Sequence, residues 1–229
     1  MELWLDTIDF NIIKDASDIG ILSGITTNPA ILSKANSAPE FIIKELLEIQ
    51  SGWVAVQTTE TELSAIERQA HRLAKISSRI IIKIPAIHDG LRAISALEKQ
   101  GIRTLATVIF ETRQIILAGM LGATYAAPYL GRIEDATQNS RSIIDDGNKI
   151  IRFNQYRTKI MAASIRTPEQ FVQCAKADVG AATISSELYR DLFSSNTHID
   201  DSLEKFKNLW LSNDLTSQSK LFYDIKESD

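Results

Sequence analysis

The sequence predicts a single (β/α)8 barrel, an α/β fold of eight parallel strands each followed by a helix. Three observations predict it. Eight short apolar runs follow one another along the chain, segments with 3.6-residue periodicity separate them, and no Pro/Ser/Gly-rich linker divides them. Such barrels commonly need about 250 residues. At 229 residues this one must keep its loops lean.

In chain order the runs are Glu2-Asp6, Ser23-Thr27, Trp53-Gln57, Ile80-Ile84, Thr104-Val108, Thr124-Pro128, Lys159-Ser164 and Ala181-Ser185. Between them, segments such as Phe41 to Leu47 and Leu91 to Leu97 are periodic and long enough for crossover helices. The longest uncharged stretch, Gln114 to Gly131, is broken by Gly119, Gly122, Thr124 and Pro128 into a helix end, a turn and a strand, so no membrane span is expected. After the eighth run, His198 to Leu211 carries Leu203, Phe206, Leu209 and Trp210 at helical spacing. The barrel with this helix is expected to occupy 1–211, leaving 212–229 as a tail that contains the apolar triplet Leu221-Phe222-Tyr223. That terminus either meets another protomer or packs on its own barrel.

Composition narrows the function classes. With 44% apolar and 24% charged residues the chain reads as globular, and 25 Lys and Arg against 29 Asp and Glu give a net charge of −4 without a basic block. A nucleic-acid partner is not expected. The single Cys174 forms no internal disulfide and reads as a buried hydrophobe, and the acid at Glu2 leaves no basic start for a secretory signal, so a cytoplasmic setting is expected. His71, His88 and His198 are scattered without metal-ligand spacing, so neither a metal nor any other cofactor is expected.

Alternate residues of a barrel strand face the axis and the helices, and chemistry gathers where strands end at the C-terminal face. In the fourth run Ile80, Ile82 and Ile84 share the helix-facing side, which aims Lys83 inward beside Ile81. Burying an ammonium without a partner is costly, and such lysines generally yield the neutral amine that a Schiff-base nucleophile requires. The alternative is a snorkelling or ion-paired lysine. The same parity turns inward Trp4 with Asp6, Trp53 with Ala55 and Gln57, Leu105 with Thr107, Tyr125 with Ala127, and Ala162 with Ser164. Arg132 follows the sixth run, and Arg166 follows the seventh just before Thr167-Pro168 opens a helix. Fork-shaped donors beside a helix N-terminus make a phosphate cradle, unless both arginines are simply solvated.

Four segments carry a resemblance: Gly24-Ile25-Thr26-Thr27-Asn28-Pro29, Ile82-Lys83-Ile84-Pro85 with Gly90-Leu91, Ala127-Pro128-Tyr129-Leu130-Gly131-Arg132, and Ala163-Ser164-Ile165-Arg166. From Met1 to about Leu211 the chain resembles the transaldolase family, in particular its short members that include fructose-6-phosphate aldolase. The resemblance implies a metal-free class I aldolase or transaldolase fold and chemistry. Lys83 would form the imine with a dihydroxyacetone-type ketose, and Asp6 would assist proton transfers. Thr26 and Asn28 would line the donor site, with Asn28 bonding the donor. Arg132, Ser164 and Arg166 would take the sugar phosphate, and Gln57, Thr107 and Tyr129 would hold a water near the imine. It also implies a homo-oligomer, a ring of five or a double ring.

Within that family, transaldolases generally carry glutamate where this chain has Gln57 and phenylalanine where it has Tyr129, so both positions point to the aldolase. Gly131 and Arg166 are closer to the transaldolases, Thr124-Tyr125-Ala126 follows neither group closely, and Ala30 replaces the usual serine. The expected activity is reversible cleavage of fructose 6-phosphate to dihydroxyacetone and glyceraldehyde 3-phosphate. A transaldolase of the pentose phosphate pathway is the alternative, and a non-catalytic sugar-phosphate-binding barrel is the third reading.

Overall fold

The computed structural model describes residues 1–137 and 140–217. The chain groups into two compact units, Met1–Leu192 and Phe193–Asp229. In the first unit β1 (Glu2–Asp6), β2 (Leu22–Thr26), β3 (Trp53–Gln57), β4 (Ile80–Pro85), β5 (Thr104–Ile109), β6 (Tyr125–Pro128), β7 (Lys159–Ile165) and β8 (Ala181–Ile184) pair in chain order. All pairings are parallel, and β8 returns to β1 with Glu2 opposite Ala181 and Leu5 opposite Ile184. The (β/α)8 barrel is therefore closed and has no exposed edge.

The crossovers are α1 (Phe10–Asp18), α2 (Pro29–Leu32) with α3 (Pro39–Ile49), α4 (Leu63–Ala74), α5 (His88–Lys99), α6 (Thr112–Met120), α7 (Leu130–Thr137) with α8 (Ser140–Phe153), and α9 (Pro168–Lys176). The short α10 (Ser186–Leu192) follows β8. Local chemistry starts several of them. Asp9 accepts from the backbone N–H groups of Asn11 and Ile12 ahead of α1, and Thr167 accepts from Gln170 N ahead of α9, with Pro168 in its first turn. The uncharged stretch from Gln114 divides into the rest of α6, a turn with Gly122 at φ 81°, and β6. No described helix is long and apolar enough to cross a membrane.

Strand alternation divides the buried residues into two cores. Ile80, Ile82, Ile84, Val54, Val56 and Ala106 face the helices, while Trp4, Ala55, Ile81, Leu105, Tyr125, Met161 and Ala181 fill the barrel interior. Toward the N-terminal end, Glu2 accepts from Tyr125 Oη (2.7 Å), Trp4 Nε1 (3.1 Å) and Lys159 Nζ (2.6 Å). Burial alone would raise the Glu2 carboxyl, but these donors hold it below its ordinary value.

One expected face is corrected. Ala162 packs with the helix layer, and Met161 and Ala163 are the inward residues of β7. The β7–β8 register shifts between Ala162 and Ile165, and Ser164 has φ 60°. A bulge at Ser164 resets the alternation, so counting back from Ser164 in steps of two lands on the wrong face.

In the second unit, Asn196 accepts from Ile199 N and starts α11 (Thr197–Leu211), followed by α12 (Asp214–Ser217). Ile199, Leu203, Phe206 and Leu209 of α11 are exposed. The triplet Leu221-Phe222-Tyr223 lies outside the described residues.

Candidate active site

Lys83 comes from the C-terminal half of β4, and only 5% of its surface is exposed. Its Nζ donates to the backbone carbonyl of Thr27 at 3.1 Å. Thr27 in turn sends both its N–H (2.8 Å) and its hydroxyl (3.0 Å) to Ala55 O, so the end of β2 is pinned to β3 while its carbonyl holds the amine. Among the described residues no carboxylate lies within salt-bridge distance of Lys83. The hydrogen-bond partner of this buried amine is thus an uncharged carbonyl.

Thr26, one residue before Thr27, is fully buried and links two neighbours. Its hydroxyl donates to Asp6 Oδ1 at 2.6 Å and lies 2.8 Å from the Thr183 hydroxyl. Asp6 is the last residue of β1 and Thr183 belongs to β8, so three adjacent strands converge on one carboxylate. Asn28 caps α2, accepting from Ile31 N at 3.0 Å through Oδ1. That capping bond fixes the side chain and leaves the Nδ2 amide to donate elsewhere.

Gln57 ends β3 directly opposite Lys83 in the β3–β4 register. Its Oε1 is buried without a hydrogen-bond partner among the described residues. Across the mouth, the Thr107 hydroxyl on β5 lies 2.9 Å from Tyr129 Oη. Tyr129 sits between two bulges: its N–H bonds to Ile109 O past the β5–β6 register shift, and it bridges Ala163 just before the β7 bulge. Val108 and Ser164, one at each bulge, have φ 58° and 60°. A left-handed backbone costs a non-glycine residue about 1–2 kcal/mol, and such strain concentrates at functional rims. The Val108 conformation is held from outside by Gln114, whose Nε2 donates to Val108 O at 3.0 Å.

The two arginines are differently engaged. Arg132, exposed on α7, places its guanidinium 4.9 Å from the Tyr129 ring centre, and Phe110 meets the same ring edge-on at 5.6 Å. Arg166 is held by Asp135 through two parallel bonds of 2.7 and 2.6 Å, and this carboxylate raises the guanidinium pKa further. Gly131 lies between them. A Cβ there would stand 2.3 Å from Ser164 O and 2.8 Å from Arg166 Nε, so only glycine lets α7 approach the end of β7.

The described structure therefore brings Lys83, Asp6, Thr26, Asn28, Gln57, Thr107 and Tyr129 to the C-terminal ends of β1 to β6, with Ser164 near the end of β7, Arg132 past β6 and Arg166 just past β7. Sequence reasoning did not single out the roles of Thr27, Thr183 or Asp135. Thr183 shares strand parity with inward Ala181, which is a detectable signal. The roles of the Thr27 carbonyl and the Asp135 carboxylate follow from neighbours distant in sequence.

Comparison with known proteins identifies the family. A probable transaldolase of Geobacter sulfurreducens is 36% identical over 212 residues, covering 93% of this chain and 99% of its own. A probable transaldolase of Dictyoglomus turgidum is 36% identical over 210 residues, covering 92% and 98%. A solved flavocytochrome b2 superposes with a TM-score of 0.57 at 10% identity, over 81% of this chain and 56% of that one, a likeness of fold alone. Residues 3–227 match the family model described as Transaldolase/Fructose-6-phosphate aldolase. With that match spanning almost the whole chain, the protein belongs to the transaldolase/fructose-6-phosphate aldolase family of enzymes.

Proposed function

We propose that this enzyme reversibly cleaves fructose 6-phosphate to dihydroxyacetone and glyceraldehyde 3-phosphate through a Schiff base on Lys83. The observation that carries the chemistry is the buried Lys83 amine, held by the Thr27 carbonyl and facing Gln57 across the β3–β4 register. The Lys83 amine adds to the C2 carbonyl, and loss of water from the carbinolamine gives an iminium. Asp6 accepts and returns the protons of these steps. As the C3–C4 bond breaks, its electron pair moves into the iminium to give an enamine, and the C4 hydroxyl proton passes to the water held beside the imine as that carbon becomes the aldehyde. Protonation of the enamine at C3 and hydrolysis of the resulting imine then release dihydroxyacetone and restore the lysine. Asn28 orients the donor, while Arg132, Ser164 and Arg166 bind the phosphate.

The aldolase reading over the transaldolase one rests on the water-handling side of the mouth. An amide at Gln57 and the Thr107–Tyr129 hydroxyl pair can orient a water that protonates the enamine, which ends the reaction in release. The second reading, transfer of the three-carbon unit to another sugar phosphate, is favoured by the names of the relatives. Incubation with fructose 6-phosphate alone separates them: free dihydroxyacetone is expected, and release that requires an added acceptor aldose identifies a transaldolase. We further propose a cytoplasmic homo-oligomer, five- or tenfold, to which the exposed Leu203, Phe206 and Leu209 of α11 lend support.

A further inference from the structure

We propose that Thr183 is a positioning residue for the reaction, setting the direction of the hydrogen bonds that end on Asp6. The inference rests on the Schiff-base reading above, in which Asp6 moves protons. A threonine hydroxyl has one proton to give. Thr26 gives its proton to Asp6 Oδ1 at 2.6 Å, so the 2.8 Å contact between the two threonines has Thr183 as donor and Thr26 as acceptor. The chain therefore runs one way, from Thr183 through Thr26 to the carboxylate. Each bond polarises the next in a site where both hydroxyl-bearing residues are buried, at 0% and 4% exposure.

One consequence follows for Asp6. Oδ1 is held by a directed donor, which favours Oδ2 as the oxygen that exchanges a proton with the carbinolamine. A second bond from the same side supports the loop after Asp6: Ser186 donates to the Thr7 hydroxyl oxygen at 2.8 Å, and Asp9 N donates to the same oxygen at 3.0 Å. The last strand and the helix after it thus organise the catalytic end of the first strand through the closure of the barrel.

Thr183→Val and Thr183→Ser test this in the full-length enzyme. Valine keeps the shape and removes the donor, whereas serine keeps the donor and loses a methyl group. A packing role ranks valine closer to the parent, and a positioning role ranks serine closer. The readout is the rate of borohydride-trapped imine formation at Lys83, with the melting temperature recorded alongside. Thr183→Val is expected to slow imine formation about fivefold to tenfold, the worth of one neutral hydrogen bond, and Thr183→Ser to restore it to within about twofold of the parent. Equal imine rates in the parent and Thr183→Val overturn the inference, as does a serine variant slower than the valine one. If the parent itself traps no donor on Lys83, the Schiff-base reading fails instead.

Discussion

Tyr129→Phe removes one oxygen and keeps the ring. The edge contact with Phe110 at 5.6 Å and the Arg132 guanidinium at 4.9 Å both address that ring, so these contacts are preserved. What is lost is the 2.9 Å bond to the Thr107 hydroxyl, whose residue is fully buried. Leaving a buried hydroxyl unsatisfied costs about 1–3 kcal/mol. For a domain of this size each kcal/mol lowers the melting temperature by about 2–4 °C, so a fall of about 2–12 °C is expected by calorimetry. The chemical effect is selective. A positioned group acting on proton transfer contributes about 100-fold at the lower end of its range, and release of dihydroxyacetone needs that transfer at the enamine carbon. Transfer to erythrose 4-phosphate bypasses it. Release in the absence of an acceptor is therefore expected to drop about 100-fold with transfer largely retained. Release that stays unchanged, or release and transfer falling together, refutes the assignment of Tyr129 to enamine protonation.

Three other expectations follow from the same geometry. Gln57→Glu places an ionisable group opposite Lys83 and is expected to raise transfer relative to release; an unchanged ratio in coupled assays removes the weight given to the amide. Gly131→Ala forces a Cβ to within 2.3 Å of Ser164 O, so α7 must move away from β7. Overpacking of this kind costs about 1–3 kcal/mol, and the half-saturating concentration of fructose 6-phosphate should rise with the loss of stability, whereas a parent-like melt and affinity would mean the contact relaxes freely. Glu2 is held below its ordinary value of 4.5, so its contribution to stability is present above that pH and is lost as pH falls through the lowered value. Denaturant titrations of Glu2→Gln and the parent between pH 7 and about pH 3 should therefore converge on acidification, and parallel curves contradict the assignment.

The barrel was legible because its strands are buried on both sides and residues of strands such as β4 alternate without interruption. Ile80, Ile82 and Ile84 on one face and Ile81 with Lys83 on the other are read directly from the run, and the two cores divide at those residues. Parity failed on β7, where the bulge at Ser164 shifts the register, because a left-handed serine has no signature in the local sequence. Lys83 and Asp6 were visible as charges in apolar strands. The Thr27 carbonyl, Thr183 and the Asp135 clamp on Arg166 were not, since each acts through a partner on another strand or helix whose place depends on barrel closure and loop geometry.

The proposed chemistry depends most on Lys83 as the electron sink. Incubating the enzyme with fructose 6-phosphate or dihydroxyacetone, reducing with borohydride and mapping the adduct by peptide mass spectrometry tests that claim directly. The donor mass is predicted on Lys83, with none on a folded Lys83→Met variant that has also lost activity. An active parent with no adduct at Lys83, or an active Lys83→Met variant, contradicts it.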